Sequence, residues 1–399
     1  MTIDIDFSPI KVDIQVEDFQ IQSDAFYTVG FISESDTAPR TLEVTQLNQL
    51  LDAGYMRLGN VYNFVYSVFA QGKMGKVVVR AKRSTETFED AYKADDNSSY
   101  YYVVIDSKDI DDVLSFNTSI AEEQFKLQFF STAVDVSTLI QGRSKLVYYF
   151  QESLFKIGLP YSKGEGVWQW DNTSGISWDD NSLIQFEPHY ELVDFPQYSD
   201  GKGVWEWSGK KDVSWDDNRL VQLEIYDMPV EIAQSRLSKF PEACWIGNCG
   251  FYFPSRVQWL HKFLAKVSTT KRTNLPNLST SSALIYGRDK ATVGSGATAD
   301  GTKIEYKVMN DWLIWAIQRN LWKILYTKEK VPQTNSGSIL MENGLKEVLD
   351  VAVTENHFSD YRITEVTQDR RTNKLSMKFS ATLVHTILGV DKVEGTIYN

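Results

Sequence analysis

Between residues 25 and 150 the sequence alternates short apolar runs with amphipathic segments, and this pattern constrains the fold more than any other feature. The helical pattern is expected at residues 41–51, 60–72, 87–94 and 109–123, with a single turn at 137–141. The apolar runs have the length and the β-branched or aromatic content of buried strands, and they lie at residues 26–33, 76–81, 100–105, 125–130 and 146–150. Strands and helices that alternate in this way predict an α/β fold, a mostly parallel sheet with helices on both faces.

A duplicated segment interrupts this pattern between residues 160 and 226. Residues 164–187 recur without gaps as residues 201–224, and each copy carries a Val-Trp-x-Trp run and a Ser-Trp-Asp-Asp-Asn run. A repeat of this kind predicts an inserted all-β domain. The expected domains are an extended arm at 1–23, an α/β core at 24–159 and 227–300, the insertion at 160–226, and an α+β C-terminal domain at 301–399.

The C-terminal domain begins with an unusually apolar helix, expected from Ile304 to Leu325. Its apolar residues cover more than half of the circumference, which is typical of a helix buried between layers or between subunits. A loop, a helix at 338–353, strands at 361–366 and 374–388 with a turn at 369–373, and a last strand at 395–398 are expected to follow.

Both termini carry strand-like sequence with no neighbouring partner. Apolar residues alternate with polar ones along the first segment, and the last residues again favour a strand; the residues are Ile3, Ile5, Phe7, Val12, Ile14, Val16, Thr396, Ile397 and Tyr398. Isolated strands are unstable, so each terminal arm is expected to pair with a sheet edge elsewhere.

Composition excludes several classes of function. The net charge of −12 argues against a nucleic-acid binder, which needs a basic surface. No apolar run approaches the ~20 residues that span a bilayer. The N-terminus has neither the basic nor the apolar region of a signal peptide, so synthesis in a cytoplasm is expected. Aromatic residues make up 13% of the chain, which suits extensive interfaces as well as aromatic cores.

Motifs for cofactors, metals or catalysis are not found. No glycine-rich nucleotide motif follows a strand, the loop at residues 294–301 is expected to be a flexible connection, and the histidines are not spaced as metal ligands. Cys244 and Cys249 fit neither a redox pair nor a zinc half-site, so both are expected to be small buried residues. The prediction is a protein that is not an enzyme and that needs neither a cofactor nor a metal.

The repeat leaves alternatives open. Its Asp179-Asp180 and Asp216-Asp217 pairs suit hydrogen-bonded turns, a calcium site, or paired carboxylates of a glycosidase. Its Trp168, Trp170, Trp205 and Trp207 suit a small apolar core or stacking on sugar rings. Stacking of these Trp residues on sugar rings would make the chain a glycan-binding virion surface module, which is the alternative function.

Four pieces in order resemble the contractile-tail sheath proteins of bacteriophages and the sheaths of related contractile injection systems. They are Phe240-Pro241-Glu242-Ala243-Cys244-Trp245-Ile246-Gly247, then Gly301-Thr302, then Asp311-Trp312-Leu313, and the loop Lys330-Val331-Pro332-Gln333-Thr334-Asn335-Ser336-Gly337. The resemblance covers residues 230–399 well and residues 20–155 loosely. It supports the α/β body and the terminal hairpin, and the α/β half argues against a tail-tube protein.

The resemblance implies a structural subunit of a contractile tail sheath. Copies would form hexameric rings, stacked helically around a tail tube protein, with baseplate and tail terminator proteins as further partners and with no nucleic acid and no membrane insertion. The implied location is the virion tail, after synthesis in the host cytoplasm. Contraction would drive the tube through the host envelope. In such sheaths the terminal arms add strands to a neighbour's C-terminal sheet, which implies that role for the arms of this chain.

A local excess of basic residues marks the C-terminal strands within an acidic chain. The residues are Arg362, Arg370, Arg371, Lys374 and Lys378. They are candidates for contact with an acidic tube. Exposed ion pairs are weak, so such a contact would hold the tube and still release it on contraction. An ordinary solvated strand face would carry the same charges.

Overall fold

The computed structural model describes the chain in segments separated by gaps. The described residues are 24–56, 59–72, 75–94, 97–151, 166–170, 203–207, 238–254, 256–267, 269–270, 282–286, 291–369 and 371–385, with the backbone alone at 166–170 and 203–207. Both predicted terminal arms and the Asp-Asp pairs of the repeat lie outside them.

A six-stranded sheet forms the centre of the body, in the order β2-β3-β1-β4-β5-β6. The strands are β1 Thr28–Glu34, β2 Thr41–Val44, β3 Lys76–Lys82, β4 Tyr102–Ile105, β5 Leu127–Thr132 and β6 Leu146–Phe150. Neighbouring strands pair in parallel except β2, which runs antiparallel to β3 at one edge. The α/β fold with a mostly parallel sheet is confirmed.

Helices cover both faces of this sheet. They are α1 Asn48–Asp52, α2 Asn60–Phe69, α3 Phe88–Lys93, α4 Ile110–Ser119 and α5 Ser137–Ile140, after a 3-10 turn at Ala25–Tyr27. Phe64 of α2 stacks on Phe31 of β1 on one face, whereas Tyr92 of α3 and Phe116 of α4 pack together on the other. Each face therefore has its own apolar core.

The helix expected at residues 41–51 is wrong over its first half. Thr41–Val44 is a strand that pairs with Val77–Arg80 of β3, and only Asn48–Asp52 is helical. β-Branched Thr41 and Val44 suit a pleated edge, and the ladder with β3 outweighs the weak helical pattern.

Within the repeat the structure describes one strand from each copy. Strand β7, Gly166–Trp170, runs antiparallel to β8, Gly203–Trp207, with Trp168 opposite Trp205 in the register. The corresponding strands of the two copies therefore pair with each other. The inserted all-β domain at 160–226 remains a prediction.

The chain returns to the body as helix α6, Pro241–Cys249, which the sequence patterns missed. Residues 238–240, which directly precede it, are not helical. Pro241 takes the first helical position, where its missing N–H costs nothing. Cys244 and Cys249 are buried free thiols, as expected, and burial raises the pKa of Cys244 to about 12.

The glycine-rich loop before the C-terminal domain is packed and not a flexible connection. It follows a short hairpin of β9, Leu284–Tyr286, and β10, Ala291–Val293. Thr298 and Ala299 are fully buried, and their amides donate to the carbonyls of Thr302 and Leu146. Burial of these backbone groups required such partners, which the composition of the loop does not reveal.

The C-terminal unit contains α7 Ile304–Thr327, α8 Asn335–Thr354, β11 Phe358–Asp369 and β12 Lys374–Leu383. Helix α7 is largely buried from Ile304 to Leu321, as its apolar circumference predicted, and packs on the sheet face that also carries α2 and α6. Trp315 contacts Phe26 edge-on, with ring centroids 5.7 Å apart. No helix in the described residues is long and apolar enough to cross a bilayer.

Candidate assembly surface

The terminal hairpin lies against the rest of the C-terminal unit by one face. Along β12 half-buried residues alternate with exposed ones, so that Leu375, Met377 and Phe379 face inward. Tyr361 on β11 donates a hydrogen bond of 2.6 Å from its hydroxyl to Asp350 Oδ1 of α8. Near the tip, Gln333 Nε2 donates to the Asp369 carbonyl over 2.9 Å. These contacts fix the hairpin on α8.

Both edges of the hairpin are open within the described chain. Strands β11 and β12 pair with each other and with no third described strand. A two-stranded sheet is marginal alone, and the unpaired backbone groups of an edge are a template for another strand. The hairpin is thus a candidate acceptor for strands from elsewhere.

The two strands differ in regularity. Register shifts fall between Phe358 and Asp360 and between Ile363 and Glu365, both on β11, whereas β12 runs through residues 374–383 without one. Bulges twist an edge and discourage pairing. The outer edge of β12 is therefore the more regular template of the two.

The expected donors of strands to this surface are the terminal arms. Their residues all lie outside the described part, namely Ile3, Ile5, Phe7, Val12, Ile14, Val16, Thr396, Ile397 and Tyr398. Their role stays a prediction.

The basic candidates for tube contact lie on the outward face and at the tip of the hairpin. Arg362, Arg371, Lys374 and Lys378 are exposed, and Arg370 lies outside the described residues. Lys378 Nζ is 2.7 Å from Glu365 Oε2 on the opposite strand. Cross-strand pairing thus offsets part of the basic charge on the flat face.

The tip keeps most of the remaining basic character. Asp369 accepts hydrogen bonds from the Thr372 hydroxyl at 2.7 Å and the Arg371 amide at 2.8 Å, and these bonds lower its pKa. The hydrogen bonds of this carboxylate stabilise the turn. Arg371 in the turn is exposed to solvent, and Lys374 is exposed at the start of β12.

The glycan candidates Trp168, Trp170, Trp205 and Trp207 lie on the paired strands β7 and β8. The backbone register places Trp168 opposite Trp205. A contact with sugars stays a prediction.

A polar cluster that the sequence analysis missed lies at the carboxyl ends of the parallel strands. Asp106 accepts from the Ser33 hydroxyl at 2.6 Å, and burial raises its pKa. Lys108 Nζ donates to Glu242 Oε1 at 2.7 Å and to Ser131 Oγ at 2.9 Å. In open α/β sheets, ligands commonly bind outside the carboxyl ends of the strands.

At that edge Lys108 pairs with Oε1 of Glu242, which is fully buried, while Oε2 of Glu242 has no hydrogen-bond partner among the described residues. The pair joins the start of α6 to the carboxyl ends of the strands. No group of three metal-ligating side chains occurs in the described segments. The two residues of this ion pair are 134 positions apart in the sequence, so no local motif could have revealed the cluster.

Comparison with known proteins places the fold. No protein-family model and no curated protein matches the sequence. A chain in the baseplate structure of the anti-feeding prophage (AFP) matches with a TM-score of 0.58 at 8% identity, covering 100% of both chains. A chain of the AFP helical sheath in the contracted state matches with a TM-score of 0.57 at 9% identity, covering 98% of this chain and 99% of that one.

A third structure, the sheath complex of an extracellular contractile injection system (PVC) in the contracted state, has a TM-score of 0.54 at 8% identity. The match covers 94% of this chain and 93% of that chain. This chain therefore has a fold that is found in structures of contractile sheaths.

Proposed function

We propose that this chain, with its sheath fold, is the structural subunit of a contractile tail sheath. Similarity of fold to sheath chains over nearly the whole length supports the proposal. The observation that carries it is the open-edged hairpin β11–β12 on the C-terminal unit, because a subunit that assembles by strand exchange needs such an acceptor.

The joint between subunits is formed by strands donated from the terminal arms. Each backbone hydrogen bond contributes about 0.5–1.5 kcal/mol net, so a short donated strand stabilises the contact by several kcal/mol. A backbone ladder depends little on side chains and tolerates twisting. Residues 1–23 and 395–399 supply the donors in this proposal.

Contraction then moves each subunit as one body. Trp315 and Asp311 of α7 contact Phe26 and Tyr101 of the α/β part, so the two units share an apolar core. Six-fold rings assemble around the tube in a metastable extended state that a kinetic barrier preserves. Surface newly buried between bodies, at roughly 25 cal/mol per Å2, drives the change. The strand joints act as hinges, and the tube passes through the host envelope.

The hairpin tip faces an acidic tube in this arrangement. Arg371 and Lys374 carry the contact, with Arg362, Arg370 and Lys378 beside them. Exposed ion pairs are weak, which lets the sheath release the tube as it contracts. The baseplate and tail terminator close the two ends, and the particle location is the virion tail.

Negative-stain electron microscopy of the purified full-length chain beside a variant lacking residues 1–20 tests the proposal. Stacked rings or tubes from the full-length chain, lost on deletion, are the expected result. Monodisperse monomers from both proteins at high concentration would contradict it, as would tubes that persist after the deletion.

A further inference from the structure

The end of α7 leaves the apolar core and exposes aromatic and aliphatic side chains. Tyr326 is 74% exposed and Leu325 is 44% exposed, although residues earlier on the same helix are buried. The rings of Trp322 and Tyr326 stack, with centroids 5.0 Å apart and planes 7° apart. Stacked exposed rings on a helix form a rigid surface that is typical of interface anchors.

Exposed basic residues lie next to these rings in the sequence. Lys323, Lys328 and Lys330 are exposed at the end of α7 and in the loop that follows, with Glu329 as the acidic residue among them. In a chain with a net charge of −12, this is a local reversal of sign. We call this surface the basic aromatic end, and it comprises Trp322, Lys323, Leu325, Tyr326, Lys328 and Lys330.

An acidic surface lies on the other side of the sheet. Helix α4 exposes Asp111 and Asp112 in its first turn, and Glu122 is exposed just after it. Helices α3 and α4 cover one face of the sheet, whereas α7 packs on the opposite face. Because the sheet separates them, this acidic helix surface (Asp111, Asp112 and Glu122) and the basic aromatic end do not meet within one copy.

We infer that the basic aromatic end of one copy docks on the acidic helix surface of a second copy. Charge complementarity between two surfaces on opposite faces of the body favours a heterologous, head-to-tail contact. Contacts of that kind build rings when the rotation closes. The inference rests on the proposed self-assembly and adds a side-chain contact that is independent of the terminal strands.

The charged residues and the apolar residues contribute differently to the proposed contact. Exposed charges steer and orient association more than they strengthen it, and salt screens them over about 10 Å at 0.1 M. Tyr326 and Leu325 supply the area removed from water. Assembly is therefore expected to weaken with rising ionic strength and to depend on the aromatic ring at position 326.

The test measures the concentration of full-length chain that remains free at equilibrium with assemblies, by pelleting. Lys323→Glu/Lys328→Glu and Asp111→Lys/Glu122→Lys are each expected to raise this concentration roughly tenfold. Combining all four substitutions restores opposite charges across the contact and is expected to return the free concentration toward that of the natural chain. Tyr326→Ala raises it by a similar factor.

Lys346→Glu serves as the control, because it reverses a partly exposed charge of the same unit that lies on α8 and is not a member of the basic aromatic end. It is expected to leave the free concentration unchanged. The docking would be overturned if neither double variant changed the free concentration. It would also be overturned if the variant with all four substitutions kept a raised free concentration while circular dichroism showed that it is folded. Absence of assembly by the natural chain would overturn the proposed function itself.

Discussion

The hydroxyl of Tyr101 donates a hydrogen bond of 2.7 Å to Oδ2 of Asp311, and both residues are buried. Tyr101 directly precedes β4 and Asp311 lies on α7, so this bond joins the α/β body to the C-terminal unit. Lys307, one turn earlier on α7, lies 3.0 Å from the other carboxylate oxygen. Burial raises the pKa of Asp311, against the influence of Lys307 and Tyr101.

Removing this donor is expected to destabilise the chain. Tyr101→Phe leaves a buried carboxylate oxygen with one donor fewer, and the free energy of unfolding falls by about 1–3 kcal/mol. Urea unfolding measures the change. Tyr55→Phe is the matched control, because the Tyr55 hydroxyl has no hydrogen-bond partner among the described residues. Equal effects of the two substitutions would argue against the role of the bond.

Two glycines on helices lie close to neighbours that differ in how easily they can move. A Cβ at Gly247 of α6 would lie 2.3 Å from the carbonyl oxygen of Val68, which is backbone of α2. A Cβ at Gly344 of α8 would lie 2.3 Å from Cδ1 of Ile324, the movable end of a side chain.

Gly247→Ala is therefore expected to lower the free energy of unfolding by about 2 kcal/mol or more, since α2 and α6 must separate. Gly344→Ala is expected to change it by less than about 1 kcal/mol, because better helix propensity offsets the repacking. Thermal unfolding of both variants checks the order. A larger loss at position 344 would contradict the packing of α6 on α2.

The pair of solvent-exposed Lys108 and buried Glu242 is expected to behave as a coupled unit. Lys108→Met leaves the buried carboxylate without its cation, and the expected loss is about 1–3 kcal/mol, because water reaches Lys108. Lys108→Met/Glu242→Leu removes both charges and is expected to recover most of that loss. A double-mutant cycle by urea unfolding measures the coupling, and additive losses would show that the ion pair does not fasten α6.

His357 is expected to make the chain sensitive to acid. Its ring is buried near Phe253 and Trp312, with ring centroids 5.6 Å and 5.4 Å away. Burial lowers the pKa of His357 below the ordinary value near 6.5, although the nearby Glu355 opposes the shift. Below pH 6.5 the unfolded chain binds the proton more readily, so stability falls as the pH drops from 6.5 through the folded pKa.

Thermal unfolding between pH 7.5 and 5.0 tests this sign. His357→Phe keeps the aromatic packing and removes the titration, so its melting temperature is expected to fall less over the same interval. Parallel pH profiles of the variant and the natural chain would assign the acid sensitivity to other groups.

Periodicity predicted the elements whose patterns are strong and local. The parallel strands, α2 and the long α7 followed from runs of apolar residues, and the alternation in 374–383 predicted β12. The strand Thr41–Val44 was missed because its stability comes from β3, which no window of 41–51 contains. Helix α6 was missed because it is buried almost all round and therefore shows no amphipathic pattern.

The candidate surface was predictable only in part, because some of its features depend on contacts between segments that are distant in the sequence. The basic residues of the hairpin were visible in the sequence, but the pairing of Lys378 with Glu365 depends on a register shift in β11. The basic aromatic end was hidden within an apolar helix pattern, since exposure of Leu325 and Tyr326 depends on where the core ends.

Hydrogen–deuterium exchange along β12 tests the central claim most directly. Amides of residues 374–383 are compared between the full-length chain under assembly conditions and the variant lacking residues 1–20, with α6 as an internal reference. The account predicts that assembly slows exchange in β12 by roughly tenfold or more, because a donated strand pairs with its open edge. Assemblies in which β12 exchanges as fast as in the variant would contradict strand exchange at this hairpin.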